Sequence, residues 1–326
     1  MAVMTYREAL NLALREEMRR DPRVFVMGEE VGLYEGAYRV TQGLLKEFGE
    51  KRVVDTPICE SGFTGVGVGA AMLGLRPVLE MMTFNFAILA LDQIVNTAAK
   101  MLYMSGGQYN IPLVVRGPGG PAGQLAAQHS QSMETYFYHV PGLKVVRPST
   151  PADAKGLLKS AIRDENPVIF IESETLYAVK GEVPDDPDFT IPLGQAIVRR
   201  EGTDVTVVAY MGMMYRAMEV AEELAREGMS VEIVDPRTLR PMDTQTIVSS
   251  VRKTHRAVVI EAGAGFAGMG SEILSFITEQ AFDDLDAPVE RVTGENAPMP
   301  YARNLELLKT PSKAKIAAAI RKVCNA

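Results

Sequence analysis

The chain has 326 residues, 47% of them apolar and 23% charged, which is typical of a globular protein with room for about two domains. Its net charge of −7 argues against a nucleic-acid-binding surface, and no apolar run approaches the roughly 18 residues of a membrane helix. Two cysteines, Cys59 and Cys324, do not form a disulfide framework, so we expect a reducing compartment: the bacterial cytoplasm or, for a mature chain, an organelle matrix or stroma.

The first part of the chain shows strands alternating with helices. Apolar periodicity predicts helices at 5–20, 42–48, from residue 60 onward, 85–104 and 151–163. It predicts strands at 24–27, 52–55, 76–82, 112–116, 142–146 and 167–172. Such alternation indicates a mostly parallel sheet that is covered by helices on both faces.

Residues 181–195 differ in composition from the segments on either side. The stretch GEVPDDPDFTIP contains three prolines and four acidic residues, which is typical of a linker. A second alternation follows, with strands at 205–210, 230–235, 257–262 and 289–292 and helices at 213–227, 243–253, 271–282 and 312–323. We therefore predict an α/β fold with two domains, residues 1–180 and 196–326, joined by a linker at 181–195.

The segment DTPICESGFTGVGVGAAMLG, residues 55–74, combines a carboxylate with closely spaced glycines in an apolar stretch. Glu60 is the only charged residue between Asp55 and Arg76, and it begins a predicted helix, whose N-terminus stabilises an anion. Each glycine costs a helix about 1 kcal/mol relative to alanine. Such a helix is predicted to let another backbone or a flat ligand approach closely. A plain N-terminal cap in front of a glycine-packed helix is the alternative explanation.

A second glycine pattern, GAGFAG from Gly263 to Gly268, matches the dinucleotide fingerprint G-x-G-x-x-G between a predicted strand and a predicted helix. Asp283 and Asp284 follow at about the distance expected of the ribose-binding acid. An NAD-binding oxidoreductase is therefore an alternative function. Against it, the motif comes late in its domain, whereas the fingerprint opens the first βαβ unit. A tight turn and close helix packing explain the glycines equally well.

His129 is the candidate acid–base residue among three histidines, because it lies in a glycine-rich loop and imidazole titrates near neutrality. An ordinary surface histidine is the other interpretation. A nucleophilic pair of His129 with Ser130 would need an acid partner and a strand-to-helix elbow, which the sequence does not show. Neither His139 nor His255 has metal-ligand spacing to His129, so no zinc or iron site is predicted.

The stretches DTPICESGFTGVGVGAAMLGLRPVLEMMTFNFA and AAQHSQ resemble beta subunits of the thiamine-diphosphate-dependent first component of 2-oxo acid dehydrogenase complexes, most of all the pyruvate branch. The resemblance covers nearly the whole chain. It implies a transketolase-like pyrimidine domain and a transketolase C-terminal-like domain, and an enzyme that decarboxylates pyruvate and passes the acetyl group to a lipoyl group. Because Pro121 and Leu125 depart from the family loop, a branched-chain 2-oxo acid or acetoin dehydrogenase beta subunit is the alternative.

The resemblance also implies roles for individual residues. Glu60 would bond a ring nitrogen of the cofactor's aminopyrimidine and so promote deprotonation of the thiazolium carbon. His129 would handle the intermediate and the incoming lipoyl group. Met82 and Phe86 would line the aminopyrimidine pocket, where thioether and aromatic groups suit a flat ring. Plain core packing is the alternative explanation of Met82 and Phe86.

A structural potassium site is implied near residues 160–167, where a predicted helix ends before a strand. Free carbonyls gather at a helix C-terminus, and hard cations prefer such oxygens. By resemblance the ligands are carbonyls or side chains of Leu113, Ala161, Ile162, Asp164 and Asn166. An ordinary C-terminal turn explains the same sequence.

Half of a thiamine diphosphate site is missing from this sequence. The chain has no Gly-Asp-Gly segment of the kind that holds magnesium and the diphosphate in thiamine enzymes. The resemblance implies that a separate alpha subunit binds both, within an α2β2 assembly. The other expected partners are dihydrolipoyl acetyltransferase with its lipoyl domain and pyruvate, with no nucleic acid and no membrane. A non-enzymatic alternative is an assembly subunit whose C-terminal domain docks the acyltransferase core.

Overall fold

The computed structural model describes residues 1–325 and divides into two units. The first unit comprises Met1–Gly119 and Tyr136–Leu193, and a parallel sheet forms its centre. The strands of this part of the chain are β1 (Ala2–Thr5), β2 (Val24–Gly28), β3 (Val53–Asp55), β4 (Arg76–Glu80), β5 (Val114–Pro118), β6 (Lys144–Val146), β7 (Val168–Glu172) and β8 (Lys180–Val183). The parallel sheet has the order β6-β7-β5-β4-β2-β3, and β1 pairs with β8 in a separate antiparallel ribbon.

The helices up to Leu193 are α1 (Tyr6–Arg20), α2 (Leu44–Phe48), α3 (Glu60–Met72), α4 (Ala99–Met104), α5 (Glu134–Tyr138) and α6 (Pro151–Arg163). Helices α1 and α6 pack against each other, and each begins with a capping box, Thr5 with Glu8 and Thr150 with Asp153. Their interface also buries Lys155 and Lys159, whose ammonium groups lie 3.0 Å and 2.6 Å from the Glu16 carboxylate.

The segment from residue 84 to residue 104 differs from the single long helix that the sequence predicts. It forms a 3-10 helix at Phe84–Ala90, a π-helix at Asp92–Ala98 and then α4. The buried positions still recur at helical spacing, including Phe84, Ala87, Ile94 and Ala98. Apolar periodicity indicates which face of a helical segment is buried. It does not distinguish 3-10, α- and π-helices, whose hydrogen bonds join residues three, four or five positions apart.

The second unit comprises Gly120–Thr135 and the chain from Gly194 onward. Its strands are β9 (Ile197–Arg200), β10 (Val205–Ala209), β11 (Val231–Asp235), β12 (Thr238–Arg240), β13 (Ala257–Ala264) and β14 (Glu290–Gly294). Its helices are α7 (Gly212–Ala225), α8 (Thr244–Thr254), α9 (Met269–Ala281), α10 (Arg303–Lys309) and α11 (Lys313–Cys324). The sheet order is β14-β13-β10-β11-β9, and only β9 is antiparallel to its neighbour within it.

Two apolar cores lie on opposite faces of this second sheet. One joins α7 and α11 to the sheet through residues such as Val207, Ala217 and Ile320, and the other joins α8 and α9 through residues such as Val208, Ile247 and Ile277. Buried strands with helices on both faces confirm the predicted α/β class. Within residues 1–325, no helix combines the length and the apolar content that crossing a membrane requires.

Some elements lie where the sequence predicts none. Strand β8 occupies the start of the predicted linker and pairs with β1, with Ala2 opposite Val183. The segment 120–135, inside the predicted first domain, groups with the second unit. Both features depend on pairing between residues far apart in the chain, which local composition does not report.

Candidate active site

Glu60 is the first residue of α3 and follows strand β3 after a short loop. Its side chain is buried, with 6% of its surface exposed. The free N–H groups of the first helical turn stabilise an anion at this position. The structure therefore places a buried carboxylate at the carboxyl end of β3, as the sequence predicts for the start of α3.

Glu29 is a second buried carboxyl group in the same region, and the sequence analysis missed it. It follows β2 directly, is 4% exposed, and its Oε1 atom has no hydrogen-bond partner in the described chain. Burial, with a further contribution from the charge of Glu60, raises the pKa of Glu29 to about 7. The Glu29 carboxyl group can therefore hold an exchangeable proton near neutral pH.

The loop after β4 contributes Met82 and Phe86, which are both half-buried, whereas Phe84 between them is fully buried. The Phe84 ring packs edge-on against Phe137 at a centroid distance of 5.4 Å. The Asn85 amide donates a 3.1 Å hydrogen bond to the Thr83 hydroxyl, which fixes the turn. Phe84 thus anchors the loop, and Met82 and Phe86 keep part of their surface available to a ligand.

Glu29, Glu60 and the Met82–Phe86 loop lie at one edge of the first sheet. Strand β2 pairs in parallel with both β3 and β4, and each of the three groups follows the carboxyl end of one of these strands. In open α/β sheets, ligands bind in the crevice outside the carboxyl ends of the strands. The structure therefore brings Glu60, Met82 and Phe86 to one edge, together with Glu29.

A buried ion network supports this edge. The Arg116 guanidinium, 1% exposed, bonds the carboxylates of Glu80 at the end of β4 and Glu172 at the end of β7. The Tyr177 hydroxyl donates to Glu172 at 2.7 Å. Burial raises the pKa of Glu80 even with Arg116 beside it. A fully bonded polar network of this kind rigidifies its surroundings, so it holds the end of β4 and the Met82 loop in place.

His129 belongs to the segment 120–135 of the second unit and is half-buried. The Gly120 N–H donates to the Gln131 carbonyl at 2.8 Å, which closes the base of this loop. Gln124 and Ala126 adopt left-handed backbone conformations, with φ of 60° and 62°. Non-glycine residues in that region cost energy, and such positions cluster at functional loops.

The glycine motif at Gly263–Gly268 does not form a dinucleotide site. The N-terminus of α9, where a pyrophosphate would bind, is filled by the carboxylate of Glu261, which accepts a 3.1 Å hydrogen bond from the Gly270 N–H. A Cβ atom on Gly268 would lie 2.6 Å from both Glu261 oxygens and 2.7 Å from the Ala264 carbonyl oxygen. Close packing around Glu261 explains the glycines, and a buried carboxylate repels a pyrophosphate.

The residues expected to bind potassium lie around the C-terminal end of α6. The Asp164 N–H donates to the Ala161 carbonyl at 3.3 Å, and the Asn166 N–H and side-chain amide both donate to Asp164 Oδ1, at 2.9 Å and 3.1 Å. The Leu113 carbonyl accepts from the Val168 N–H at 2.8 Å. The structure thus groups Ala161, Asp164 and Asn166 in one turn.

Two cationic side chains already contact this turn. The Arg76 guanidinium donates to the carbonyls of Ile162 and Asp164 at 3.0 Å and 3.2 Å, and Lys144 forms an ion pair with the Asp164 carboxylate. Each carbonyl oxygen has a second lone pair. Oxygen lone pairs therefore remain at this turn, although two positive charges already lie beside it.

Comparison with known proteins identifies both halves of the chain. Residues 2–180 match the family described as "Transketolase, pyrimidine binding domain", and residues 194–316 match "Transketolase, C-terminal domain". A solved structure described as "Split gene transketolase, inactive beta4 tetramer" superposes with a TM-score of 0.79 at 23% identity, covering 99% of this chain and 98% of that one. This likeness shows the shared fold.

Curated relatives are more similar in sequence. The "Pyruvate dehydrogenase E1 component subunit beta" of Rhizobium meliloti (strain 1021) is 58% identical over 325 residues, which cover 99% of this chain and 70% of the relative. That of Rickettsia felis is 54% identical over 98% of both chains. The mitochondrial beta-1 subunit of Arabidopsis thaliana is 52% identical over 98% of this chain and 89% of the relative. The chain therefore belongs to the family of pyruvate dehydrogenase E1 component beta subunits, which combine the two transketolase domains.

Proposed function

We propose that this chain is the beta subunit of a thiamine-diphosphate-dependent enzyme that decarboxylates pyruvate and passes the acetyl group to a lipoyl domain. The observation that carries the proposal is the sheet edge where Glu60, Glu29 and the Met82–Phe86 loop meet. The names of the relatives supply the substrate, since three of them, from two bacteria and a plant, are pyruvate dehydrogenase beta subunits.

The residues at this edge can provide the hydrogen bonds and the polarizable surface that an aminopyrimidine needs. Glu60 provides a buried carboxylate for a ring nitrogen, and Glu29 provides a buried oxygen that no donor of the described chain satisfies. Met82 and Phe86 offer polarizable surface to the faces of a flat ring. Held by Glu60, Met82 and Phe86 at its pyrimidine end, thiamine diphosphate would supply a carbon nucleophile and an electron sink for the decarboxylation.

The residues of this chain hold and transfer protons during the reaction. Glu60 holds a proton on the pyrimidine nitrogen, which changes the acidity of the amino group on the same ring. Glu29, with a pKa of about 7, exchanges a proton with its surroundings near neutral pH. His129 acts as the acid–base group when the acetyl unit passes to the lipoyl sulfur, because an imidazole both gives and takes a proton at this pH.

Further chains complete the enzyme. Relatives named "subunit beta" imply another subunit, and this sequence lacks a segment suited to magnesium and the diphosphate. We assign those to an alpha subunit in an α2β2 assembly and expect the dihydrolipoyl acetyltransferase, with its lipoyl domain, as the acceptor.

We further propose a structural potassium ion on Leu113, Ala161, Ile162, Asp164 and Asn166. Because relatives come from bacteria and from mitochondria, the bacterial cytoplasm or an organelle matrix is the proposed compartment.

Reconstitution with the cognate alpha subunit tests the proposal. Carbon dioxide release is measured with pyruvate and with 3-methyl-2-oxobutanoate, using ferricyanide as electron acceptor, and acetylation of an isolated lipoyl domain is measured separately. Preference for pyruvate in both assays is the expected result. A preference for the branched substrate would overturn the assignment of substrate, and no thiamine-dependent turnover with either acid would overturn the assigned reaction.

The role of His129 is tested in the same preparation. H129A is expected to lower lipoyl acetylation by about 10²-fold or more while leaving ferricyanide-coupled decarboxylation and the thermal midpoint much less affected. H139A provides the matched control, since His139 is an exposed histidine. Equal acetylation by the H129A and H139A enzymes would remove His129 from the transfer step.

A further inference from the structure

The loop that carries His129 is held to the second unit at two places. The Gln124 N–H donates to the Glu306 carboxylate of α10 at 3.2 Å. At the other end of the segment, Glu134 is 3% exposed and accepts a 3.2 Å hydrogen bond from the hydroxyl of Tyr210, which follows β10. The second attachment is buried, whereas the first is exposed. Buried hydrogen bonds resist competition from water, so the Glu134 end is the firmer anchor.

Glu261 adds a second carboxyl group to this buried anchor. It lies on β13, is 3% exposed, and its charge interacts with that of Glu134. The backbone of β13 also approaches the segment closely, because a Cβ atom on Gly263 would lie 3.1 Å from the Ser132 Cβ atom. Strand β13, which carries Glu261, and the end of the His129 segment are therefore packed together at Gly263 and Ser132.

We propose that Glu134, Tyr210 and Glu261 are positioning residues, which fix the segment 120–135 so that His129 is correctly placed for acetyl transfer. The inference rests on the proposed role of His129. None of the three residues is assigned a contact with substrate or cofactor. The need for an anchor is visible in the loop itself, since Gln124 and Ala126 hold left-handed conformations that persist only when surrounding structure enforces them.

The anchor depends on charge. Around Glu261 lie the carboxylate of Glu134, the Arg291 side chain of β14, and the N–H groups of Met269 and Gly270 at the start of α9. The Tyr210 hydroxyl reaches the pair through Glu134. Burial, with the charge of Glu134, raises the pKa of Glu261 to about 7. Below that pH the Glu261 carboxyl group keeps its proton; above it Glu261 is ionised beside Glu134, and the added negative charge loosens the segment.

The two half-reactions therefore respond differently to pH. Lipoyl acetylation is expected to fall as pH rises through about 7 by more than ferricyanide-coupled decarboxylation falls. E261Q keeps the shape of Glu261 and removes its charge, so this variant should keep the transfer rate seen at pH 6 and lose the additional fall up to pH 8.5. E134Q should behave in the same way, because an amide oxygen can still accept from Tyr210.

The experiment uses α2β2 enzymes that contain E134A, E134Q, E261Q, Y210F or H129A, with E279Q as the matched control on the exposed face of α9. E134A is expected to lower kcat for lipoyl acetylation at least tenfold with less than a twofold change in decarboxylation, and Y210F should give a smaller loss in the same step. The E279Q enzyme should retain the parental pH profile in both assays.

Three outcomes would overturn the inference. They are an E134A enzyme that acetylates lipoyl domains at the parental rate, an E261Q enzyme with the parental pH profile, and equal losses in both half-reactions for every variant. If E134A fails to fold, the pH profiles of E134Q and E261Q still decide the question. Loss of transfer in H129A without loss in E134A would leave the proposed function intact and reject the anchor, whereas unchanged transfer in H129A would reject the role of His129 itself.

Discussion

Glu60 is a single carboxyl group on which the proposed chemistry depends, because it is buried at the first turn of α3, at the sheet edge to which we assign the pyrimidine ring. Replacement by glutamine keeps the size of the side chain and removes the negative charge that holds a proton on the ring. E60Q is therefore expected to weaken thiamine diphosphate binding and to lower turnover by about 10²-fold or more in the reconstituted enzyme. Titration calorimetry and decarboxylation rates measure the two effects.

E50Q is the matched control for this substitution, since Glu50 is an exposed glutamate of the same unit. It should leave cofactor affinity and turnover at the parental values. Near-normal decarboxylation by E60Q would show that the carboxylate does not act on the cofactor.

Glu29 gives the first unit a specific dependence on pH. Its carboxyl group keeps its proton in the folded chain up to a pKa of about 7, whereas the unfolded chain loses it near 4.5. Between these values the folded state binds more protons, so this group makes stability fall as pH rises. E29Q removes the effect. The thermal midpoint of E29Q minus that of the parent should therefore increase from pH 5 to pH 8, and a difference that stays constant over this range would contradict the assigned titration.

Helix α3 contains two glycines, Gly67 and Gly69, whose surroundings differ in the space they leave for a side chain. A Cβ atom on Gly67 would lie 2.8 Å and 2.9 Å from the two methyl carbons of Leu79 in β4, whereas one on Gly69 would meet no atom of the described residues within 4 Å beyond its chain neighbours and the nearby backbone of α3. We expect G67A to lower the free energy of unfolding by about 1–3 kcal/mol through overpacking. G69A should be neutral or raise it by about 0.5–1 kcal/mol, because alanine is the better helix former.

Urea denaturation of the purified chain measures both changes. The two variants control for each other, since they lie two residues apart in one helix and differ only in what the new methyl group meets. Equal effects of the two substitutions would mean that α3 does not pack against β4 as described.

The turn after α6 predicts a response to monovalent cations. If Asp164 and Asn166 help to hold potassium, a concentration a hundred times its dissociation constant should stabilise the chain by about 2.7 kcal/mol relative to tetramethylammonium. D164N should lose this response, and D188N should keep it, because Asp188 is exposed and lies outside the turn. Thermal midpoints that do not change between the two cations would argue for an ordinary turn, held by Arg76 and Lys144.

At the scale of the whole molecule, the chain is expected to be inactive alone. We assign the pyrimidine end of the cofactor to its sheet edge, but the sequence contains no Gly-Asp-Gly segment for the magnesium that accompanies a diphosphate. Isothermal titration should detect no tight thiamine diphosphate binding by the isolated chain with magnesium present. Adding the alpha subunit should restore binding and pyruvate decarboxylation together. Tight binding with turnover in the absence of any partner would reject the two-subunit site.

Features that depend on neighbouring residues could be predicted from the amino-acid sequence alone. Apolar periodicity predicted the central strands and the longer helices of both α/β units but not β1, β8, β9, β12, α5 and α10, and the isolated charge of Glu60 ahead of small residues located the start of α3. Family motifs supplied roles for Glu60 and His129, which stay predictions until the variants are measured. These signals are local, because a helix or a parallel strand is encoded in the spacing of its own side chains.

Which distant side chains lie together became clear only from the folded chain. Glu29 and Glu60 are separated by 31 positions in the sequence and come together because β2 and β3 pair in parallel. The Gly263–Gly268 motif resembled a nucleotide site until Glu261 was found at the N-terminus of α9. Local sequence patterns do not predict such pairings. The charges and helix N-termini that surround a buried carboxylate are set by long-range strand pairing and packing.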